Sequence, residues 1–463
     1  MKKISYLLTG CSLIAGTTAC DFSEQKKESP NILIILLDDA GYADFGFMGC
    51  KDLETPNIDR LAAKGMVFTD AHVAATVSGP SRACLMTGRY GHRFGYECNP
   101  AQSKWGLPLT ETTMGEVFQQ AGYSTAAIGK WHLGSLPEQH PNNRGFDYFF
   151  GMKAGSRDYF YNAEKSDRPG TDRNILRNKE QVHFDGYLTD VFSDEASRFI
   201  RESTTPFFMY LSYNAVHTPM QATHDDLDRF KDHPRQKLAA MTWALDRGIG
   251  QVVETLKASG KWDNTFIFFL SDNGGATNNQ SSNLPLKGFK GNKFEGGHRV
   301  PFFIVYGDRF TSDKPFEGLT SSLDIFTTAM DAAGIRKDVL PNKPDGVSLL
   351  PYLTGQKNEN PHTTLFWRKL ATRAVRHENY KLIMTEGVDT VFYDIKNDIS
   401  EMHNIRNFQN ESYQSAFELL QEWEKGCIDP LWREEGWSKV TNSYHERLMH
   451  NKIFEARDLR KQQ

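Results

Sequence analysis

Apolar residues fall along this chain in short unbroken runs, and polar residues gather where the runs stop. The first run, "NILIILLDDAG" (31–41), is continuous and closes on two aspartates. A run without alternation predicts a strand buried on both faces, the pattern of a parallel sheet. "TPNIDRLAAKG" (55–65) reads as a helix, with Pro56 near its first turn and Gly65 past its end. A helix over "TTMGEVFQQAG" (112–122) feeds a strand over "STAAIG" (124–129). The helical "DVFSDEASRFIRES" feeds a strand over "PFFMYLSY" (206–213), and "ALDRGIGQVVETLKASG" feeds one over "NTFIFFLSDNGG" (264–275). "VPFFIVYG" (300–307) is one more buried strand. This alternation predicts an α/β fold with a large, mostly parallel central sheet flanked by helices.

The pattern changes near residue 346. "LFWRKLATRAVRHENYKLIMTEGVDTVFYDI" holds short, partly alternating strands and tight turns, which predict a small antiparallel sheet. An amphipathic helix over 411–426 packs on it, and the last thirty or so residues are charged and expected to be extended or partly disordered. At 463 residues the chain is too long for one ordinary core. The organisation expected is an α/β domain over 31–345 and a smaller α+β subdomain over 346–463.

The first residues stand apart. "MKKISYLLTGCSLIAGTTACDF" has Lys2 and Lys3, an apolar run, then small residues up to Cys20. That is an export signal over 1–20, and its closing cysteine predicts a lipoprotein with Cys20 lipidated. A second cysteine, Cys11, ends a better local match ("LLTGC") after a shorter apolar run. Residues 21–30 read as a polar tether. The expected location is the periplasm or outer membrane of a bacterium, with membrane contact only through the lipid. No apolar run reaches the ~20 residues that span a bilayer. A net charge of -4 argues against a nucleic-acid partner, which needs a basic face. Cys50, Cys84, Cys98 and Cys427 show no C-x-x-C spacing, so structural zinc is not expected. Export permits disulfides, and the pairing stays open.

Ligands of an open parallel sheet bind beyond the carboxyl ends of its strands. Asp38 and Asp39, then Lys130 and His132, then His217, then Asp272 and Asn273 all fall at such ends. The four acidic or amide residues suit a hard cation, Ca²⁺ or less well Mg²⁺. Arg82, Lys130 and Lys290 could neutralise a tetrahedral oxyanion, and His132 and His217 could move protons. Ser78, in "VSGPSRACLMTGRYG" (77–91), has two readings: an N-cap of the helix opened by Pro80, or a nucleophile aimed at an anion.

"SGPSRACLMTGR" resembles the signature of the type I sulfatases of the alkaline phosphatase superfamily. "GKWHLG" resembles their second signature, and "LLDDAG", "SDNGG", "KGFKGNKFEGGHRVP" and "VFYDIKNDISEMHNI" follow as further landmarks in order. The resemblance runs from about residue 30 to about 405. It implies an alkaline phosphatase-like fold and a catalytic role for 31–345. It implies that Ser78 is oxidised to formylglycine by a radical maturase before export, as in serine-type bacterial sulfatases. The hydrated aldehyde would attack sulfur with one hydroxyl and expel sulfate by deprotonation of the other. Asp38, Asp39, Asp272 and Asn273 would hold Ca²⁺ together with the modified Ser78. Arg82 would orient Ser78, Lys130 and Lys290 would grip sulfate, His217 would be the acid and His132 the base. The expected substrate is a sulfated saccharide, cleaved in an exo fashion, with His92, Arg93, Arg157, Asp158 and His298 as sugar contacts. Two alternatives remain: a phosphate mono- or diester hydrolase of the same superfamily, and a non-catalytic lipoprotein that captures sulfated glycans.

Overall fold

The computed structural model describes residues 29–100 and 104–460. The expected export signal, Cys20 and most of the expected tether lie outside these residues. Nine strands form one sheet. Its centre is β1 (Asn31–Leu37), β2 (Ser124–Lys130), β3 (Tyr148–Met152), β4 (Phe207–Ser212) and β5 (Thr265–Ser271). These run parallel in the order β5-β1-β4-β2-β3. β6 (Phe302–Tyr306) joins the β5 edge antiparallel, followed by the short strand Met66–Phe68. The sheet is therefore mixed but mostly parallel, as expected.

The apolar runs explain the layering. Leu33, Ile35 and Leu37 of β1 enter one core, while Ile32, Ile34 and Leu36 enter the core on the opposite face. Both sets are buried, which is why the strand shows no polar alternation. On the first face lie two helices, Leu188–Glu202 and Gln236–Ala258, packed on each other. On the second lies α1 (Ser78–Thr87), every residue of which is buried. α1 ends on Gly88 at φ 66°, a left-handed position that glycine adopts without strain.

Four antiparallel strands form the C-terminal sheet: β7 (Thr364–Lys369), β8 (Thr372–His377), β9 (Tyr380–Thr385) and β10 (Asp389–Asp394). The helix Glu411–Lys425 packs against β8 and β9. Trp367 of β7 docks this sheet on the larger unit by donating its indole N–H to the Val73 carbonyl at 2.7 Å. The charged tail departs from expectation. Residues Glu435–Met449 form a helix, and Leu448, Met449 and Ile453 are buried with Phe289 and Trp367. These few apolar residues, spaced among charges, suffice to anchor it. Among the described residues no helix is long and apolar enough to cross a membrane.

Candidate active site

Parallel register brings the polar strand ends together. Leu37 pairs with Ser271, so Asp38 and Asp272 emerge side by side, and the Asp272 amide donates to the Leu37 carbonyl at 3.0 Å. Asp38 in turn donates its amide to Ala215 beyond β4. Asp38, Asp39, Asp272 and Asn273 are each no more than 1% exposed.

Ser78 corrects one reading. Helix α1 begins at Ser78 itself, Val77 is the N-cap in extended conformation, and no side chain caps the end. Pro80 lies inside the first turn rather than opening the helix. The Ser78 hydroxyl instead meets Asp38 Oδ1 at 3.1 Å and Asn273 Oδ1 at 3.3 Å. The Asn273 amide nitrogen donates to Asp39 Oδ1 at 2.8 Å and to the Gly274 carbonyl at 3.0 Å, which leaves its oxygen directed at Ser78.

The cations surround this point. Arg82, one turn along α1, donates to Asp272 Oδ2 from Nε at 3.0 Å and from Nη2 at 2.8 Å. Its remaining nitrogen reaches the Tyr210 and Ser212 hydroxyls. Lys130 lies 2.6 Å from Asp38 Oδ2, and Lys290 lies 2.6 Å from Asp39 Oδ1. Burial alone would raise both aspartates. Lys130 foremost for Asp38, and Lys290 foremost for Asp39, overcome it and hold both carboxyls below their ordinary value. His132 is held well below the usual imidazole value, first by burial and then by Lys130, Arg82, Lys290 and His217. It is therefore neutral at pH 7 and able to accept a proton. His217 Nε2 lies 3.6 Å from Asp39 Oδ2, and Nδ1 pairs with the Thr218 carbonyl.

The structure thus brings Asp38, Asp39, Ser78, Arg82, Lys130, His132, His217, Asp272, Asn273 and Lys290 to one rim. The donor set suits a hard cation: three buried carboxylates and one amide oxygen stand at adjoining strand ends, with no sulfur among them. Ligand atoms of Asp38, Asp39 and His217 all lie within 4.8 Å of one another.

The proposed sugar contacts fare differently. His92 is 2% exposed, bonds the Arg368 carbonyl, and sits edge-on to Trp423. Arg93 is held by Asp345 at 2.7 Å. His298 is fully buried between His72, Lys381 and the stacked ring of Trp367. These three are corrected: sequence adjacency to the nucleophile helix or the Lys290 loop did not place their side chains at the rim. Arg157 is also buried, paired with Asp167 at 2.7 Å. Asp158 spends both oxygens, on Ser166 at 2.7 Å and Gln221 at 3.2 Å. Both brace the loop they sit on.

Sequence reading missed the residues that hold the rim. The Asn279 amide donates to the Asp39 carbonyl at 2.9 Å and the Val216 carbonyl at 3.2 Å, tying the ends of β1 and β4. The Tyr159 hydroxyl reaches the Asn214 and His217 carbonyls at 2.6 and 2.8 Å. Gly155 approaches His132 so closely that a Cβ would lie 2.6 Å from Nε2. Such partners act through main-chain atoms and carry no spacing signature. The four described cysteines, Cys50, Cys84, Cys98 and Cys427, are free thiols.

Known proteins are similar to this chain in sequence and fold. The pattern of the Sulfatase family matches residues 30–335, and that of the N-sulphoglucosamine sulphohydrolase C-terminal region matches 290–425. The uncharacterized sulfatase YdeN of Escherichia coli (strain K12) is 35% identical, over 74% of this chain and 69% of its own. Human arylsulfatase G is 33% identical over 80% of this chain and 78% of its own. Mouse N-acetylgalactosamine-6-sulfatase is 33% identical over 76% and 72%. The crystal structure of Ps i-CgsB in complex with k-i-k-neocarrahexaose superposes with a TM-score of 0.83 at 35% identity, covering 89% of this chain and 97% of that one. With the signature serine on α1 and the acidic strand ends beside it, the chain belongs to the sulfatase family.

Proposed function

We propose that this chain is an exported, lipid-anchored bacterial enzyme that releases sulfate from a sulfated carbohydrate, acting on a terminal sugar. One observation carries the reading. The Ser78 hydroxyl is buried between two metal-suited oxygens, at the amino end of a buried helix, with Arg82, Lys130 and Lys290 paired to the carboxylates beside it. The carbohydrate class is supported by the relatives named N-acetylgalactosamine-6-sulfatase and by the neighbour crystallised in complex with k-i-k-neocarrahexaose.

Asp38, Asp39, Asp272 and Asn273 would hold the cation, most readily Ca²⁺, which supplies positive charge beside the nucleophile. Formylglycine at position 78, formed by a maturase before export, supplies a geminal diol in place of a weakly nucleophilic hydroxyl. The chain's own residues do the rest. Arg82 fixes Asp272 and the first turn of α1. Lys130 and Lys290 offset the charge of the sulfuryl oxygens, an effect strengthened by burial. His217 gives a proton to the departing sugar oxygen. His132, held low first by burial and then by its cationic neighbours, accepts the proton whose loss releases sulfate.

The test uses protein made alongside a serine-competent maturase. The peptide containing residue 78 should have lost two hydrogens by mass spectrometry. Sulfate should be released from at least one of sulfated galactose, N-acetylgalactosamine, N-acetylglucosamine or fucose. Turnover of phosphate esters in preference to all sulfates would overturn the reading, and so would full activity with unmodified Ser78. His217→Ala should slow sugar sulfates by ~10²–10⁴-fold and an activated aryl sulfate far less, because only a basic leaving oxygen needs the acid. Equal losses on both would move that role to Lys290.

A further inference from the structure

Beside His132 the surface opens into a pocket of about 540 Å³, lined by Trp105 and by residues of the loop 153–173. The loop lends it Lys153, Lys165, Arg168 and Arg173 against Glu164 and Asp172. Lys153 is spent within the wall, on Asp172 at 3.0 Å and on the Ser135 carbonyl. Lys165, Arg168 and Arg173 have exposed side chains and no carboxylate partner among the described residues. We propose that this pocket is a subsite for a second anionic group, a sulfate ester or carboxylate on the sugar adjoining the one that is desulfated. The proposal rests on the reading of the site as a carbohydrate sulfatase and narrows its substrate to a multiply charged glycan.

Three features support a built site. First, the pocket and the catalytic rim share His132, so a sugar joined to the one at the rim extends directly into it. Second, the loop that carries the cations is held from inside. Buried Arg157 pairs with Asp167 at 2.7 Å and donates to the Arg173 carbonyl at 2.9 Å. The Ala154 amide donates to the Asp172 carbonyl at 2.8 Å, and Thr171 bonds Asn174 at 3.0 Å. Third, Trp105 lines the pocket half-buried, held by stacking on Trp432 at 5.4 Å, with the Lys104 ammonium 4.7 Å from its ring centre adding one more cation. Unpaired guanidinium groups on a braced loop suit a sulfate or carboxylate, which they can grip with two parallel hydrogen bonds.

The experiment compares three disaccharides that carry the same reactive terminal sulfate. The neighbouring sugar is neutral in one, sulfated in the second and a uronate in the third. In wild-type enzyme an anionic neighbour should raise kcat/KM by about tenfold or more, through KM, at low salt. The ratio should fall toward one in ~0.5 M NaCl, because exposed charges are screened. In Arg168→Glu/Arg173→Glu the ratio should fall to one or below. Both side chains are exposed, and the Arg173 contact to Arg157 is made by its carbonyl, so folding is not at stake. A preference for only one of the two anions identifies that group as the occupant. Equal kcat/KM for all three disaccharides, or a ratio untouched by the double variant, would overturn the subsite. Turnover of none of them would defeat the reading of the active site instead. Calorimetric binding of the same disaccharides to Ser78→Ala then decides the subsite alone, with the same ordering expected and its absence fatal.

Discussion

Ser78→Ala is expected to reduce sulfate release by on the order of 10⁶-fold, the scale of losing a covalent nucleophile, while the protein stays folded. The two effects separate because of where Ser78 sits. Its side chain caps nothing, so alanine removes no helix-end bond. It removes one buried hydrogen bond to Asp38 or Asn273. Asp38 keeps Lys130 at 2.6 Å and Arg82 at 3.5 Å. The cost should be about 1–3 kcal/mol, read as a drop of a few degrees in melting temperature. Metal content is a separate readout, since the carboxylates remain. If Ser78 served only to start the helix, activity would follow the folded fraction and stay near wild type at 25 °C. More than a tenth of wild-type turnover in homogeneous variant would remove Ser78 from the chemistry.

The sequence exposed the parts of this molecule that work through contiguous residues. Fully buried strands announce themselves as unbroken apolar runs, so β1, β2, β4 and β5 were legible. So were the polar residues that end them, because a parallel sheet collects its strand ends on one side. β3 was not legible: "YFFGM" is short and follows a Pro- and Asn-rich stretch without a preceding helix. The antiparallel direction of β6 was equally hidden, since direction depends on the path of the chain between strands rather than on the strand. Among the site residues, those in the two signatures and at the strand ends, with Lys290, landed at the rim. His92 and His298 did not, although each lies close in sequence to a rim residue. A side chain near the end of a motif can point into the core as readily as toward a ligand, and only packing decides. His298 turned inward because Trp367, far along the chain, supplies the surface it stacks on.

That inward cluster sets up the second large effect. Lys381 on β9 is fully buried, 2.8 Å from Glu295, 3.0 Å from Glu401 and 2.9 Å from His298. Glu295 begins the helical turn Glu295–His298, which follows the loop of Lys290, so one ammonium joins the C-terminal sheet to a catalytic loop. Lys381→Met should destabilise the protein by about 3 kcal/mol, because it breaks a fully buried ion pair and leaves Glu295 to Arg299 at 3.2 Å and Arg376 at 3.9 Å. Glu401→Gln added to it should recover part of that loss only above about pH 7, where Glu401 would otherwise be ionised. Glu401 alone predicts a pH dependence. Burial first, and Glu295 next, push its carboxyl up to about 7 against the pull of Lys381. The unfolded chain titrates near 4.5. Between these values the folded state holds the extra proton, so this contribution to stability is full below 4.5 and is lost as pH rises through about 7. His72 and His298, held low first by burial, act in the opposite direction, and Glu295 is held well below its ordinary value by Lys381 despite burial. The difference between wild type and Glu401→Gln isolates the one group. In urea unfolding at pH 5, 6 and 7.5, wild type should lose stability relative to Glu401→Gln at each step. A difference that stays constant across the three would show that Glu401 keeps its charge in the core. The partnership with Lys381 would then be a full ion triad rather than one pair beside a neutral acid.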